Sequence, residues 1–401
     1  MFRKPSKWHV IVAVAIAAKL LVMVLVTPWG DLINWAAGAS NVLRYLSVGS
    51  YPPISVTGVY GPLQVVLAPF YWVWTKLPVH HLHLASIPLT NSAPEIWLAV
   101  LMKLPSFVAD ILTGGLVYKL VERMSNSESR SRIALLCWYC NPFNVYWIEA
   151  FGAMDVIPVS LLLLAILLGM NRRWVSCGLC VTIASILRIF PLFVFPFLFA
   201  QGKPKSLRAY AFLLAGFLLP LIFAIIAMYV SGAGTLSVLA NLPQGESWLL
   251  DFLGVNLNEY VKLTPLLLVL QFFIMVYYWR KGSLVHGATV ALLTLLVGAL
   301  PYGGYGYHFL WVSPLLTISL CLSVDELWVF IFTFVTASLY PPMIFVPLPS
   351  LSVLEPLFAG AFFAAKATYL TKINVENISP ILRFQPTERM EYSSAQHGLK
   401  H

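Results

Sequence analysis

Apolar runs of bilayer length recur along nearly the whole chain. They fall at about 10–28, 95–120, 133–150, 155–171, 174–190, 191–200, 209–230, 261–279, 284–302, 308–324, 327–347 and 351–371. A crossing takes roughly 20 apolar residues, so most of these windows predict transmembrane helices. Residues 191–200 are too few to cross alone. The stretch 174–200 reads either as two passes or as a bent hairpin, broken at Pro191 and Pro196, that enters and leaves on one side. Counted as two passes, the pattern predicts an all-α polytopic membrane protein of about twelve transmembrane helices over 1–371.

The polar positions between the windows give the sides. Arg3, Lys4 and Lys7; Arg123, Arg130 and Arg132; Arg172 and Arg173; Lys203, Lys205 and Arg208; Arg280 and Lys281; and Lys372, Arg383, Arg389 and Lys400 all fall on one side. The opposite side carries Arg44, Lys76 and Lys262. By the positive-inside rule both termini are cytoplasmic. The window after the basic segment Met1–Lys7 is long and lacks a small-residue cleavage site, so it reads as a retained first span. Two outer segments are long, 29–94 and 231–260. Within the first, 32–47 and 62–77 are apolar, rich in Trp and Tyr, and of helix length, as expected of helices lying in the headgroup layer. A long decorated loop beside short connections is where a catalytic surface is expected. The tail 372–401 is polar and reads as a poorly ordered cytoplasmic segment.

Composition sharpens this picture. Of 401 residues, 59% are hydrophobic and 10% charged, against about 45–50% and 25% in soluble domains. A water-soluble globule is excluded. The net charge of +9 reads as positive-inside bias and contact with anionic lipid, and not as a nucleic-acid footprint. Five cysteines form no secreted disulfide pattern. Cys137-x-x-Cys140 and Cys177-x-x-Cys180 have metal-like spacing, but both lie inside apolar windows, where cysteines read as packing residues. No acids accompany His80, His81 and His83. No metal or cofactor is expected, since P-loop, dinucleotide and Ser-His-Asp signatures are also missing.

Function must then lie in polar residues that a bilayer tolerates poorly. Asp31 follows Trp29-Gly30 at the outer mouth of span one. It reads either as a base within reach of water or as a carboxylate capping the following helix. Asp155, after Gly152-Ala153-Met154, sits at a helix start in either case, with Glu149 as a neighbouring acid. Lys103 and Asp110 lie two turns apart on one helix face and read as a structural intramembrane pair, balanced against another helix. Arg188, before Phe190-Pro191, needs an anion, and a phosphate suits its fork; the alternative is snorkelling. The stretch from Pro301 to Trp311 alternates Gly with Tyr302, Tyr305 and Tyr307, offering close backbone approach and stacking rings, and His308 adds a phosphate-bonding imidazole.

Taken in order, these elements resemble the GT-C membrane glycosyltransferases that use polyprenyl-phosphate sugars. Within them the chain is most similar to the first-mannosyltransferase family of GPI-anchor synthesis. Trp29-Gly-Asp31-Leu-Ile-Asn-Trp35 looks like that family's acidic motif, and Tyr60-Gly-Pro62-Leu63 resembles its Tyr-x-Pro-Leu element. Lys103 to Asp110 repeats Lys-x6-Asp, and Asn141-Pro142 with Gly152-Ala-Met-Asp155 matches Asn-Pro and Gly-x-x-Asp. Arg188-Ile-Phe-Pro191 resembles Lys-Ile-Tyr-Pro, and Tyr307-His-Phe-Leu-Trp311 resembles Gln-Tyr-Phe-Leu-Trp. One departure stands out: the family's first motif is Asp-x-Asp, whereas this chain has Ile33 at the second acid.

The resemblance implies transfer of a hexose, mannose by the nearest likeness, from a dolichyl-type phosphate. The acceptor is a lipid-linked or glycan hydroxyl at the extracytoplasmic face, and the transfer proceeds with inversion. A phosphate leaving group needs charge stabilisation more than protonation, the part assigned to Arg188 and His308. One carboxylate then suffices as base on the acceptor, the part assigned to Asp31, in contrast with the paired acids of glycosidases. Asp155, Tyr60, Tyr307 and Trp311 are the further substrate-site candidates. The competing expectation is a secondary transporter or lipid flippase, which broken helices and intramembrane ions also suit.

Overall fold

Where the apolar windows fall within the described residues they fold as helices; the windows 327–347 and 351–371 lie outside those residues. The computed structural model describes residues 7–26, 29–48, 62–77, 96–188, 190–202, 207–230 and 306–323, with isolated helical positions between 269 and 292. In chain order the elements are α1 (Lys7–Leu25), α2 (Trp29–Ser47), α3 (Pro62–Lys76), α4 (Ile96–Ser125), α5 (Glu128–Tyr139) and the single turn α6 (Pro142–Asn144). A π-helical turn Val145–Ala150 follows, then α7 (Val156–Met170), α8 (Trp174–Leu187), α9 (Phe190–Gly202) and α10 (Leu207–Val230). A 3₁₀ turn Gly306–Trp311 leads into α11 (Ser313–Ser323). The fold is all-α, with no strand among the described residues. Among those residues, α1 and α4 are long and apolar enough to cross a bilayer. Tyr60, the outer segment 231–260 and the tail 372–401 lie outside the described residues.

Local chemistry sets the joints. Asn126 adopts the left-handed conformation between α4 and α5 (φ 50°). The Ser127 side chain then accepts from the Arg130 amide, and Glu128 stands in the first turn of α5 where the helix dipole favours an acid. The Asn141 side-chain oxygen Oδ1 accepts from the Phe143 amide at 3.0 Å, and Pro142 opens α6, where its missing N–H costs nothing. The stretch 174–200 is broken, but not at its prolines. Arg188 is extended (φ −153°, ψ 138°) between α8 and α9, Pro191 stands in the first turn of α9, and Pro196 falls inside it. A proline in a first turn starts a helix instead of ending one, because the N–H it lacks has no helical partner there.

Two apolar clusters hold the bundle. The larger joins α4, α5, α7, α8, α9 and α11 through side chains such as Trp138, Leu163, Val181, Phe197 and Leu315. The smaller joins α2, α3 and α4 to the turn before α7, through Leu32, Trp35, Leu63, Leu67, Met102 and Met154. At the α8–α10 crossing the backbones touch. A Cβ on Gly178 would stand 2.3 Å from the Leu213 carbonyl oxygen, and one on Gly216 would stand 2.1 Å from that of Val175. The Thr182 hydroxyl donates across the same crossing to the Phe217 carbonyl at 2.7 Å.

The bundle has two unlike ends. At one, the Arg132 guanidinium lies over the Trp8 ring, Arg123 bonds to Asn171, and Arg130 donates to the Leu322 carbonyl. At the other, the C-terminus of α1 meets Lys103 and the turn before α7. Helices α1, α4, α7, α8 and α11 each run from one of these ends to the other, so Arg123, Arg130 and Arg132 are segregated from the candidate site residues.

The Gly178 contact generates a test of the packing. Gly178→Ala drives a methyl into backbone that cannot swing away, an overpacking cost of typically 1–3 kcal/mol. Gly115 has nothing within 4 Å of its Cβ position, so Gly115→Ala is neutral or stabilising by up to about 1 kcal/mol. Thermal unfolding of the detergent-solubilised protein should therefore fall in midpoint for the first variant and not for the second.

Candidate functional site

The end of the bundle opposite the basic groups is built around a buried ion pair. Asp155 ends the turn after the π-helical segment, and Arg188 is the extended residue that closes α8. Arg188 Nε lies 3.0 Å from Asp155 Oδ1, and Nη2 lies 3.4 Å from Oδ2. Trp311 Nε1, at the end of the 3₁₀ turn, donates to Asp155 Oδ1 at 2.9 Å. The Trp311 ring stacks on Phe190, with centroids 4.6 Å apart and planes 12° from parallel. Asp155 occupies the N-cap position of α7, yet its side chain makes no capping bond there. The carboxylate is turned to the guanidinium and the indole instead. Both members of the pair are buried, so each needs the other far more than an exposed pair would.

The π turn and Gly152 put Asp155 in place. Widening the helix over Val145–Ala150 lets the Ala153 amide reach the Trp147 carbonyl at 2.8 Å and swings the chain around. Gly152 takes φ 83°, open to glycine. Its missing side chain also makes room: a Cβ there would meet Lys103 Cγ at 2.8 Å and Trp35 Cζ3 at 3.0 Å. The Ser106 hydroxyl, one turn beyond Lys103, contacts both the Gly152 carbonyl (3.2 Å) and the Met154 sulfur (3.3 Å).

Neighbours of the candidate residues share one apolar cluster. Leu32 beside Asp31, Met102 beside Lys103, Met154 beside Asp155 and Leu187 beside Arg188 all belong to or pack against it. The backbones of Asp31, Lys103, Asp155 and Arg188 therefore converge. Asp31 stands in the first turn of α2, one turn before Trp35. Its side chain lies outside the described residues, as do those of Tyr307 and His308 in the 3₁₀ turn that ends at Trp311. Cys137, Cys177 and Cys180 are buried and form no disulfide. No cluster of metal-ligand side chains occurs among the described residues.

A second ionic group lies deeper in the bundle. Lys19 Nζ of α1 is 2.9 Å from Asp110 Oδ2 of α4 and 2.9 Å from Glu149 Oε1 of the π turn. Trp138 Nε1 donates to Asp110 Oδ1 at 2.8 Å. Lys103 and Asp110 share a helix face, yet the cation of Asp110 is Lys19. Lys103 donates to the carbonyls of Met23 at 3.2 Å and Val26 at 2.5 Å. Seven residues span about 10 Å along a helix, too far for one side chain to reach the other directly. Lys19 was missed because a single charge inside span one disappeared into its apolar average. Its signal was available: an intramembrane charge by default has a partner, and Lys19 and Lys103 balance Asp110 and Glu149 in number.

No protein-family model matches the chain, and no curated protein matches it.

The deeper group makes a stability prediction. Lys19→Met leaves two buried carboxylates without their ammonium and should destabilise by about 3–5 kcal/mol, the cost of orphaning a buried charge. Combining it with Asp110→Asn and Glu149→Gln removes the orphaned charges and should recover most of the loss. Equilibrium unfolding in detergent reads both; no loss in the single variant would deny the ion pairs a role in the fold.

Proposed function

We propose that the chain is an integral membrane glycosyltransferase of the GT-C type, moving a hexose from a polyprenyl-phosphate donor to a lipid-linked or glycan hydroxyl. In this reading about twelve crossings form one domain, the basic end faces the cytoplasm, and the opposite end carries the site at the extracytoplasmic face. α2 and α3 lie in the headgroup layer of that face. The observation that supports it best is the meeting of the Asp155–Arg188–Trp311 contacts with the start of α2. Residues far apart in sequence, each in a motif of the resemblance, come to one end of the bundle.

The division of labour follows from the chemistry. Transfer breaks the bond from the anomeric carbon to the phosphate oxygen and forms one to the acceptor oxygen. The departing phosphate keeps the electron pair, and the acceptor proton goes to a base. Asp31 is that base. Arg188, with His308 three residues before Trp311 in the chain, stabilises the charge growing on the phosphate, in a setting where few waters compete. Asp155 and the Trp311 indole hold the guanidinium in orientation, so Asp155 is a positioning residue. Phe190 and Trp311 are both buried, and their stacking fixes the indole that donates to Asp155.

The buried Lys19–Asp110–Glu149 group favours a second reading, a secondary transporter with an intramembrane ion site. One experiment separates the two. Purified protein in liposomes, given a panel of polyprenyl-phosphate sugars and lipid acceptors, should form a glycosylated lipid with no ion gradient imposed. Asp31→Asn should lower that rate by roughly 10²–10⁴, and Arg188→Ala by roughly 10²–10³ through weakened donor use. Gradient-driven uptake of a solute, with no covalent product from any donor, would replace the enzyme by the transporter.

A further inference from the structure

Lys103 joins parts of the site that no other described contact joins in this way. Its ammonium closes on the carbonyls at the end of α1, that of Met23 in its last turn and that of Val26 just beyond it. A cation is favoured there, where the helix dipole ends negative and the carbonyls have no helical partner. α2 begins at Trp29, only three residues beyond Val26, and Asp31 lies in its first turn. The Lys103 stem passes Gly152 and Trp35 at distances that leave no room for a Cβ on Gly152. One turn on, Ser106 bonds the Gly152 carbonyl. A single buried side chain thus touches the end of α1, borders Trp35 of α2, and packs on the turn that ends at Asp155, the partner of Arg188.

We propose that Lys103 is a positioning residue whose hold on the α1 carbonyls fixes the base-bearing start of α2 against the Gly152–Asp155 turn that orients Arg188. The proposal rests on the glycosyltransferase reading. It gives the intramembrane lysine a task distinct from that of Lys19, whose partners Asp110 and Glu149 lie deeper. Removing the charge while keeping the length therefore loosens the joint between the two halves of the site without touching the Asp155–Arg188–Trp311 contacts.

Lys103→Met and Lys103→Arg, in the full chain, test this by two readouts. Amide hydrogen exchange in the segments 20–36 and 150–156 should speed up in Lys103→Met and return toward wild type in Lys103→Arg, which still donates to carbonyls. Turnover should fall roughly 10²-fold in Lys103→Met, the scale of an ångström-sized misplacement. The donor KM should stay within about twofold, because the donor contacts are intact. Lys103→Arg should recover most of the turnover. Unchanged exchange in both segments would overturn the clamp. Faster exchange with unchanged turnover would reduce Lys103 to a structural lysine. Failure of the wild-type protein to glycosylate any acceptor would remove the glycosyltransferase reading and this role with it, while the exchange data would still report whether the clamp exists.

Discussion

A charge buried in an apolar bundle must find its opposite, and in this protein that requirement decides which helices meet. Water is not there to solvate Lys19, Asp110, Glu149, Asp155 or Arg188, all buried. Leaving one alone would cost several kcal/mol. Apolar packing is far less selective, because the burial of apolar surface is non-directional. Lys19 therefore fixes α1 to α4 and to the π turn, and Arg188 fixes the end of α8 to the start of α7. Where backbone touches backbone, as at Gly178 and Gly216, close van der Waals contact supplies the rest.

The same contacts prepare a site. The π turn that carries Glu149 toward Lys19 also delivers Gly152 and Asp155 to the far end of the bundle. Asp155 then holds Arg188 and Trp311, while Lys103 holds the end of α1 from which α2 departs. Ions that secure the fold and ions that orient the proposed phosphate-binding group are thus adjacent turns of one segment. A substitution in the deeper group is expected to reach the upper one through the π turn.

The all-α architecture was legible in the sequence because long apolar windows leave few other ways to satisfy the backbone in lipid. The joints were less so. Pro191 read as a helix breaker and is a helix starter, since the sequence alone does not tell the first turn from the middle. Asp155 was recognisable as an acid at a helix start, but its turn away from the cap toward Arg188 depends on where α8 ends. Lys103 and Asp110 were legible as one face of α4; their partners were not, because lateral contacts between helices some eighty residues apart leave no local pattern. Gly152 was legible as the glycine of the Gly-x-x-Asp element, but not its two physical roles, its φ and the space that Lys103 fills.

The central claim, that buried charge pairing organises the site end of the bundle, is tested most directly by a double-mutant cycle on Asp155 and Arg188. Asp155→Asn, Arg188→Met and the double variant would be compared by reversible unfolding in detergent. The account predicts strong coupling, with the double variant less destabilised than the sum of the singles by about 2–3 kcal/mol, at the upper end for residues in direct contact. Additive losses, within about 0.5 kcal/mol, would show two independent side chains and contradict the claim.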